Sequence, residues 1–240
     1  MAIAYDSSAQ GNANPGTSIT FAHDIVTVSN SILLVYIQQS SSPDVITGAT
    51  YDGTAMTRMT QLDTGQFYAV YGLLSASLST ASKNIVVSRS TSGFIVAFSS
   101  SYTGVDQTLT EDASTTADAT SQNVQVDITT VADNCWLFAG CFTSQGWSGS
   151  GIASGSQRQD IGTQRSIFDS NAAQTPAGSH NLTFQQTASG NVECIMLSIA
   201  PFVPPAGPTN VKTVDGIVKA SIKTVDGIAI GSIKSISSIT

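Results

Sequence analysis

Side chains able to do chemistry are scarce in this 240-residue chain. A metal centre or a nucleophilic triad needs a histidine beside carboxylates or a nucleophile, and the histidines are His23 and His180. His23 stands in FAHD next to Asp24, where strand neighbours point to opposite faces. His180 follows PAGS in a loop leading into a strand. Both read as ordinary loop or strand-end histidines. Glycoside hydrolysis needs two positioned acids, and the glutamates are Glu111 and Glu193. Glu111-Asp112 falls in TLTEDASTTADATSQN, read as an exposed polar loop, and Glu193 begins the last strand of the body. Asp63, Asp106, Asp127, Asp160 and Asp169 are scattered singly. With no GxSxG, HExxH, phosphate-binding glycine loop or CxxC pair, no catalytic residue is assigned and the chain is expected not to be an enzyme. Asp52 and Asp106 are the choices for calcium held by loop oxygens. The plainer alternative makes both turn residues, Asp52-Gly53 being a turn dipeptide. No metal or cofactor is predicted.

Ligand stacking has one candidate, Trp147, in the Gly/Ser-rich run SQGWSGSGIASGSQ. Such a ring either caps a sheet edge or faces a sugar. Trp136, in the apolar run CWLFAGCF, reads as core. In FYAVYG one tyrosine-bearing face could be open, although packing against an opposite sheet is commoner.

Three cysteines, Cys135, Cys141 and Cys194, make an odd set. Cys135 and Cys141 lie on one strand, six residues and roughly 20 Å apart, beyond the ~7 Å Cα reach of a disulfide. Buried free thiols are expected, as suits folding in a reducing cytoplasm.

The elements that must position these residues are strands. Apolar residues make up 41% and charged residues 10%, against roughly 25% charged in an ordinary soluble protein. Long amphipathic helices need charged faces, so Ser, Thr, Asn, Gln and Gly must coat a β protein. Short β-branched and aromatic runs recur between Gly, Ser, Asn and Asp clusters. In NVQVDITT, Val124, Val126 and Ile128 share one face, while CWLFAGCF and ECIMLSI are apolar on both faces and belong mid-sheet. The prediction is all-β: an antiparallel β-sandwich, jelly-roll-like, over residues 1–200. SILLVYIQQ and VECIMLSIAPF are expected side by side in one sheet, bringing the termini of the domain together.

Charge is unevenly shared. Residues 1–208 hold five Lys/Arg and fourteen Asp/Glu, so 5 − 14 = −9, and residues 209–240 hold four Lys and two Asp, so 4 − 2 = +2. An acidic body repels nucleic acid, and no arginine cluster with aromatics offsets that. The start, MAIAYDSSAQG, has no basic and apolar leader, and no run reaches a membrane span. Neither a secretory signal nor membrane insertion is expected.

Three stretches, YDGTAMTRM, FYAVYGLLSAS and IVVSRSTSGFIVAFSSSYTGVDQT, together resemble a β-sandwich module of phage virion proteins and large bacterial surface proteins. The resemblance spans about Ile19 to Phe202 and is most specific at Tyr102-Thr103-Gly104-Val105-Asp106-Gln107. It implies a scaffold and a setting, with no catalytic residue to carry over.

PFVPPAGPTN, residues 201–210, is a stiff proline spacer. Beyond it, residues 211–240 repeat every eleven: Val211, Ile222 and Ile233 align, as do Lys212, Lys223 and Lys234. This IKTVDGIAIGS-type phrase is similar to short repeats that end some phage and bacterial proteins. Asp215-Gly216 and Asp226-Gly227 are type I′ hairpin dipeptides, which would make Ile217–Val225 and Ile228–Ile236 antiparallel strands. A lone hairpin is marginal in water. Val211, Val214, Ile217, Val218, Ile222, Val225, Ile228, Ile230, Ile233 and Ile236 are therefore expected to attach or oligomerise the chain, a trimer being favoured. Together these features predict a bacteriophage virion structural protein, for capsid decoration or as a head or tail fibre accessory, with other virion proteins as partners. The alternative is a carbohydrate-binding module for host surface glycans through Trp147.

Overall fold

The computed structural model describes residues 1–40, 42–108, 111–204, 213–214, 217–218, 224–225 and 228–229. Contacts divide the chain into two compact units, Met1–Phe202 and Val203–Thr240. The first unit is all-β, as the sparse charge and alternating runs predict, with two antiparallel sheets.

The first sheet contains β1 (Ala4–Asp24), β2 (Ile32–Gln39), β3 (Ile46–Tyr51), β4 (Thr54–Ala55), β5 (Thr57–Asp63), β6 (Phe67–Leu74) and β7 (Ser82–Thr103). The second contains β8 (Ala113–Thr129), β9 (Trp136–Thr143), β10 (Trp147–Ile152), β11 (Ser156–Ile161), β12 (Arg165–Asp169) and β13 (Ser179–Ile199). The two sheets follow one path. In the first, the long β7 has β1 along one side, with β3 and β2 on the other, and the sheet continues through β6 to β5. In the second, the long β13 has β8 along one side, with β10 and β9 on the other, and the sheet continues through β12 to β11. The body thus repeats its topology once, although no repeat shows in its sequence.

Each long strand bends, so its sheet folds over a core of its own. In the first sheet Ile85 and Val87, before the bend of β7, and Ile95 and Ala97, after it, face one cluster with Leu33, Val35 and Ile37. Register shifts on β1 between Ala13 and Ser18 mark that bend, the usual effect of a bulge. In the second sheet the shift lies between Gln185 and Gly190, and Val124, Val126 and Ile128 join Cys194 and Met196. A third core fills the space between sheets, with Ile32, Leu34 and Tyr36 from β2 against Ile195, Leu197 and Ile199 from β13. Both faces of β2, of β9 and of the second half of β13 are therefore buried, as their continuous apolar runs indicated.

Three expectations are corrected. SILLVYIQQ and VECIMLSIAPF do not pair edge to edge: β2 lies between β6 and β7, β13 between β8 and β9, and they meet face to face across the middle core. The run from Ala113 to Gln122, read as a loop with Glu111-Asp112, is the first half of β8. So polar a stretch is stable as a strand because it bonds to a neighbour on one side only and keeps every second side chain in water. Buried free thiols hold only for Cys135; Cys141 and Cys194 form a disulfide. They are opposite residues on β9 and β13, Cα atoms 4.2 Å apart, a proximity created by strand register across 53 residues of sequence. The ends of the unit meet as expected: the Met1 ammonium donates to the Phe202 carbonyl at 2.7 Å.

Candidate functional site

Trp147 is not an open stacking platform. It is 7% exposed, its ring edge-on to Phe168 at 5.2 Å and tilted on Phe184 at 6.3 Å. The glycine-rich flank that suggested an exposed ring lets the chain fold over it: a Cβ on Gly151, whose φ is +72°, would come within 3.0 Å of Trp147. A sugar cannot reach a face already in van der Waals contact, so the stacking role fails. Trp136 is core, as read, packed edge-on to Tyr102 at 5.9 Å. Tyr68 and Tyr71 are both buried, which closes both faces of FYAVYG.

His23 is in a denser polar setting than a strand-end histidine. It is buried, with Nδ1 2.8 Å from Ser99 Oγ and Nε2 3.1 Å from both Ser7 and Ser101 Oγ. Ser101 donates to Asp6 Oδ2 at 2.9 Å. Burial lowers the imidazole pKa to about 4, against the raising effect of Asp6 and Asp24. Serine, histidine and aspartate gather here, but in the wrong order for nucleophilic catalysis, where a carboxylate must hold Nδ1. Here Ser99 occupies that position. The cluster ties β1 to β7. Half-buried at the start of β13, His180 meets the Pro176 carbonyl at 2.8 Å.

Glu193, read as a strand-start acid, is buried between the sheets. Tyr68 Oη donates to its Oε2 and Asn191 Nδ2 to Oε1 at 3.0 Å, while burial pushes the carboxyl above its usual range. Tyr36 stacks on Tyr68 at 6.2 Å, and its hydroxyl has no hydrogen-bond partner among the described residues. Gly140 makes room for it, since a Cβ there would lie 2.1 Å from the Tyr36 ring. The Arg165 guanidinium lies 4.6 Å from the Phe94 ring centroid and 5.2 Å from that of Phe142, one ring from each sheet. Nothing in the sequence marks this group, because its members come from β2, β6, β7, β9, β12 and β13. With both tyrosines fully covered, its chemistry is cross-sheet adhesion.

The YTGVDQ stretch is where the unit is tied off. Tyr102 Oη donates to Asp169 at 3.1 Å, and Gly104, at φ +71°, sits where a Cβ would strike the Ala2 carbonyl oxygen at 2.2 Å. The Phe202 amide donates to the Gly104 carbonyl at 2.7 Å, and Gln107 donates to the Ser31 carbonyl at 3.3 Å. Asp106 accepts from Thr108, and Asp52 pairs with Lys83 at 2.9 Å. Asp52 and Gly53 both have positive φ, the backbone of a type I′ turn joining β3 to β4. Among the described residues no three His, Cys, Asp or Glu side chains gather in a cluster that could hold a metal.

The second unit contains two short ladders, β14 (Thr213–Val214) with β15 (Ile217–Val218) and β16 (Thr224–Val225) with β17 (Ile228–Ala229). Val214↔Ile217 and Val225↔Ile228 bracket Asp215-Gly216 and Asp226-Gly227, at the eleven-residue interval of the repeat. Among the predicted attachment residues, Val214, Ile217, Val218, Val225 and Ile228 lie on these ladders. Val211, Ile222, Ile230, Ile233 and Ile236 lie outside the described residues.

No known protein family matches the chain, and no curated protein matches it. Among solved structures, the chain is similar to the major capsid protein P2 from bacteriophage PM2, at 8% identity and a TM-score of 0.22. That likeness covers 81% of this chain and 98% of that one.

Proposed function

We propose that the chain is a structural protein of a phage particle, with the two-sheet body displayed and the C-terminal repeat attaching it to other virion proteins or to further copies of itself. The observation that carries this reading is the repeated pairing around Asp215-Gly216 and Asp226-Gly227 in a unit separate from the body. Each ladder is two residue pairs long, and an isolated hairpin is marginal in water. A surface supplied by a partner resolves that deficit. The body, by contrast, contains three apolar clusters and closes its own ends. Its charge-poor coat of Ser and Thr and its disulfide suit a protein that works outside a reducing cytoplasm. Trp147, His23 and Glu193 are all buried, which weakens each of them as a ligand site.

The test compares the full chain with a version ending at Pro208, by mass in solution and by binding to purified particles and empty capsid shells. Loss of oligomer or of particle binding on truncation is expected. A full-length monomer that binds neither particles nor shells overturns the reading.

A further inference from the structure

Edge strands offer a row of unused N–H and C=O groups, and proteins guard them with Lys, Pro, bulges or a covering segment. The two equivalent edges of this body are treated differently. β1 contains Pro15 and three register shifts. Part of it is also covered by β11: Gln159 Nε2 donates to Ser8 Oγ at 2.9 Å, Ser8 Oγ donates to the Arg158 carbonyl at 3.1 Å, and the Arg158 guanidinium lies 3.9 Å from the Tyr5 ring centroid. β8 has seventeen residues, no Pro, Lys or Arg, and a single register shift against β13. Among the described residues β13 is its one strand partner.

Register tells which groups of β8 face outward. Ser144 N–H bonds the Asn191 carbonyl, so Asn191 hydrogen-bonds toward the β9 side, as by alternation do Glu193 and Ile195. Cys141 and Cys194 are then a non-hydrogen-bonded pair, as their 4.2 Å Cα separation also indicates. Cys194 therefore turns its own N–H and C=O toward Ala117 of β8. Alternation along β8 leaves Ser114, Thr116, Asp118 and Thr120 with backbone groups directed away from the sheet, and all four have exposed side chains.

We infer that this edge of β8 accepts the C-terminal repeat of a second copy of the chain as an added antiparallel strand; the inference rests on the tail being an attachment element. Strand addition of this kind takes its affinity from main-chain hydrogen bonds. The occupant is chosen by charge and by conformation. Residues 90–157 contain no Lys or Arg and six acids, Asp106, Glu111, Asp112, Asp118, Asp127 and Asp133, whereas residues 209–240 carry four Lys and two Asp. The repeat already holds β-branched residues in strand pairs at Thr213–Val214, Ile217–Val218 and Thr224–Val225. Docking on a ready-made edge gives those marginal hairpins the third strand they need. Because tail and edge are different surfaces, the contact is heterologous and builds either a ring or an open file of copies.

The experiment uses the full chain, in sedimentation velocity over a concentration series with peptide-level hydrogen exchange. Association should rise with concentration, and amide protection at 114–120 should rise with it. Asp118→Lys combined with Thr120→Lys should weaken association at least tenfold. Thr116→Pro, which removes an outward N–H and leaves the ladder to β13 intact, should do so independently. A full chain that stays monomeric overturns the inference. Protection of β8 that is independent of concentration assigns the edge to the chain's own tail and also overturns it. Association unchanged by either β8 variant, yet lost on truncation at Pro208, rejects β8 as the acceptor while leaving the attachment role of the tail intact.

Discussion

Arg158 grips Asp169 by two hydrogen bonds, Nε to Oδ2 at 2.7 Å and Nη2 to Oδ1 at 3.0 Å. The carboxylate is fully buried, and Tyr102 of the other sheet donates to the same Oδ2. Burial pushes the Asp169 carboxyl up, and Arg158 opposes that shift. Removing one partner of a buried pair leaves the other uncompensated, at a cost of about 3–5 kcal/mol. Arg158→Ala should therefore lower unfolding stability by roughly that amount in urea titrations. Arg158→Lys should fall between, since an ammonium cannot reproduce the planar two-bond fork.

Acid should loosen the first sheet through His23. Burial favours the neutral ring when folded, with a pKa of about 4 against 6.5 for the free side chain. Below pH 6.5 the unfolded chain binds a proton that the folded chain refuses. Stability from this site is then complete above pH 6.5 and is lost as pH falls toward 4. The difference, 6.5 − 4 = 2.5 pH units, is on the order of 3 kcal/mol. Asp6 and Asp24, the charges facing the ring, work in the opposite direction. Chemical denaturation at pH 7.5, 5.5 and 4.5 should show the fall, and His23→Gln should flatten it.

Tyr36 and Tyr68 stack on each other but should respond oppositely to loss of a hydroxyl. Tyr36 Oη has no hydrogen-bond partner among the described residues, so Tyr36→Phe should be neutral or stabilising by up to about 1 kcal/mol. Tyr68 Oη bonds Glu193, so Tyr68→Phe should destabilise by about 1–3 kcal/mol through a less satisfied buried acid. Thermal melts of the two variants, side by side, distinguish them.

Thiol titration in denaturant should find one reactive cysteine per chain, Cys135, and three after reduction. The buried Cys135 thiol, whose pKa burial pushes up to about 12, should be silent in the native protein. Closing a span of 53 residues corresponds to about 4 kcal/mol of chain entropy. Cys141→Ser with Cys194→Ser should destabilise the body by a comparable amount.

Much of the core was legible because one rule governs it. SILLVYIQQ, CWLFAGCF and ECIMLSI are apolar on both faces, and a strand covered on both faces has no other composition open to it. The β8 edge was not legible, because ASTTADATSQ contains no large apolar residue and periodicity is visible only through burial. Trp147 misled for a related reason: Gly and Ser beside an aromatic fit an exposed loop and a backbone folded tightly over a ring equally well. Glu193 and His23 looked ordinary because their partners stand 125 and 76 residues away.

By itself the sequence determined the class, the buried strands and the eleven-residue tail repeat. All of these are local, set by composition, alternation of period two and turn dipeptides. Tertiary structure alone decided which strands are neighbours: the duplicated path of the two sheets, the Cys141–Cys194 bond, the Arg158–Asp169–Tyr102 contact and the pairing of β8 with β13 alone among the described residues. Pairing depends on register between strands far apart in the chain, and two strands of one composition can satisfy many registers until a packed core selects one.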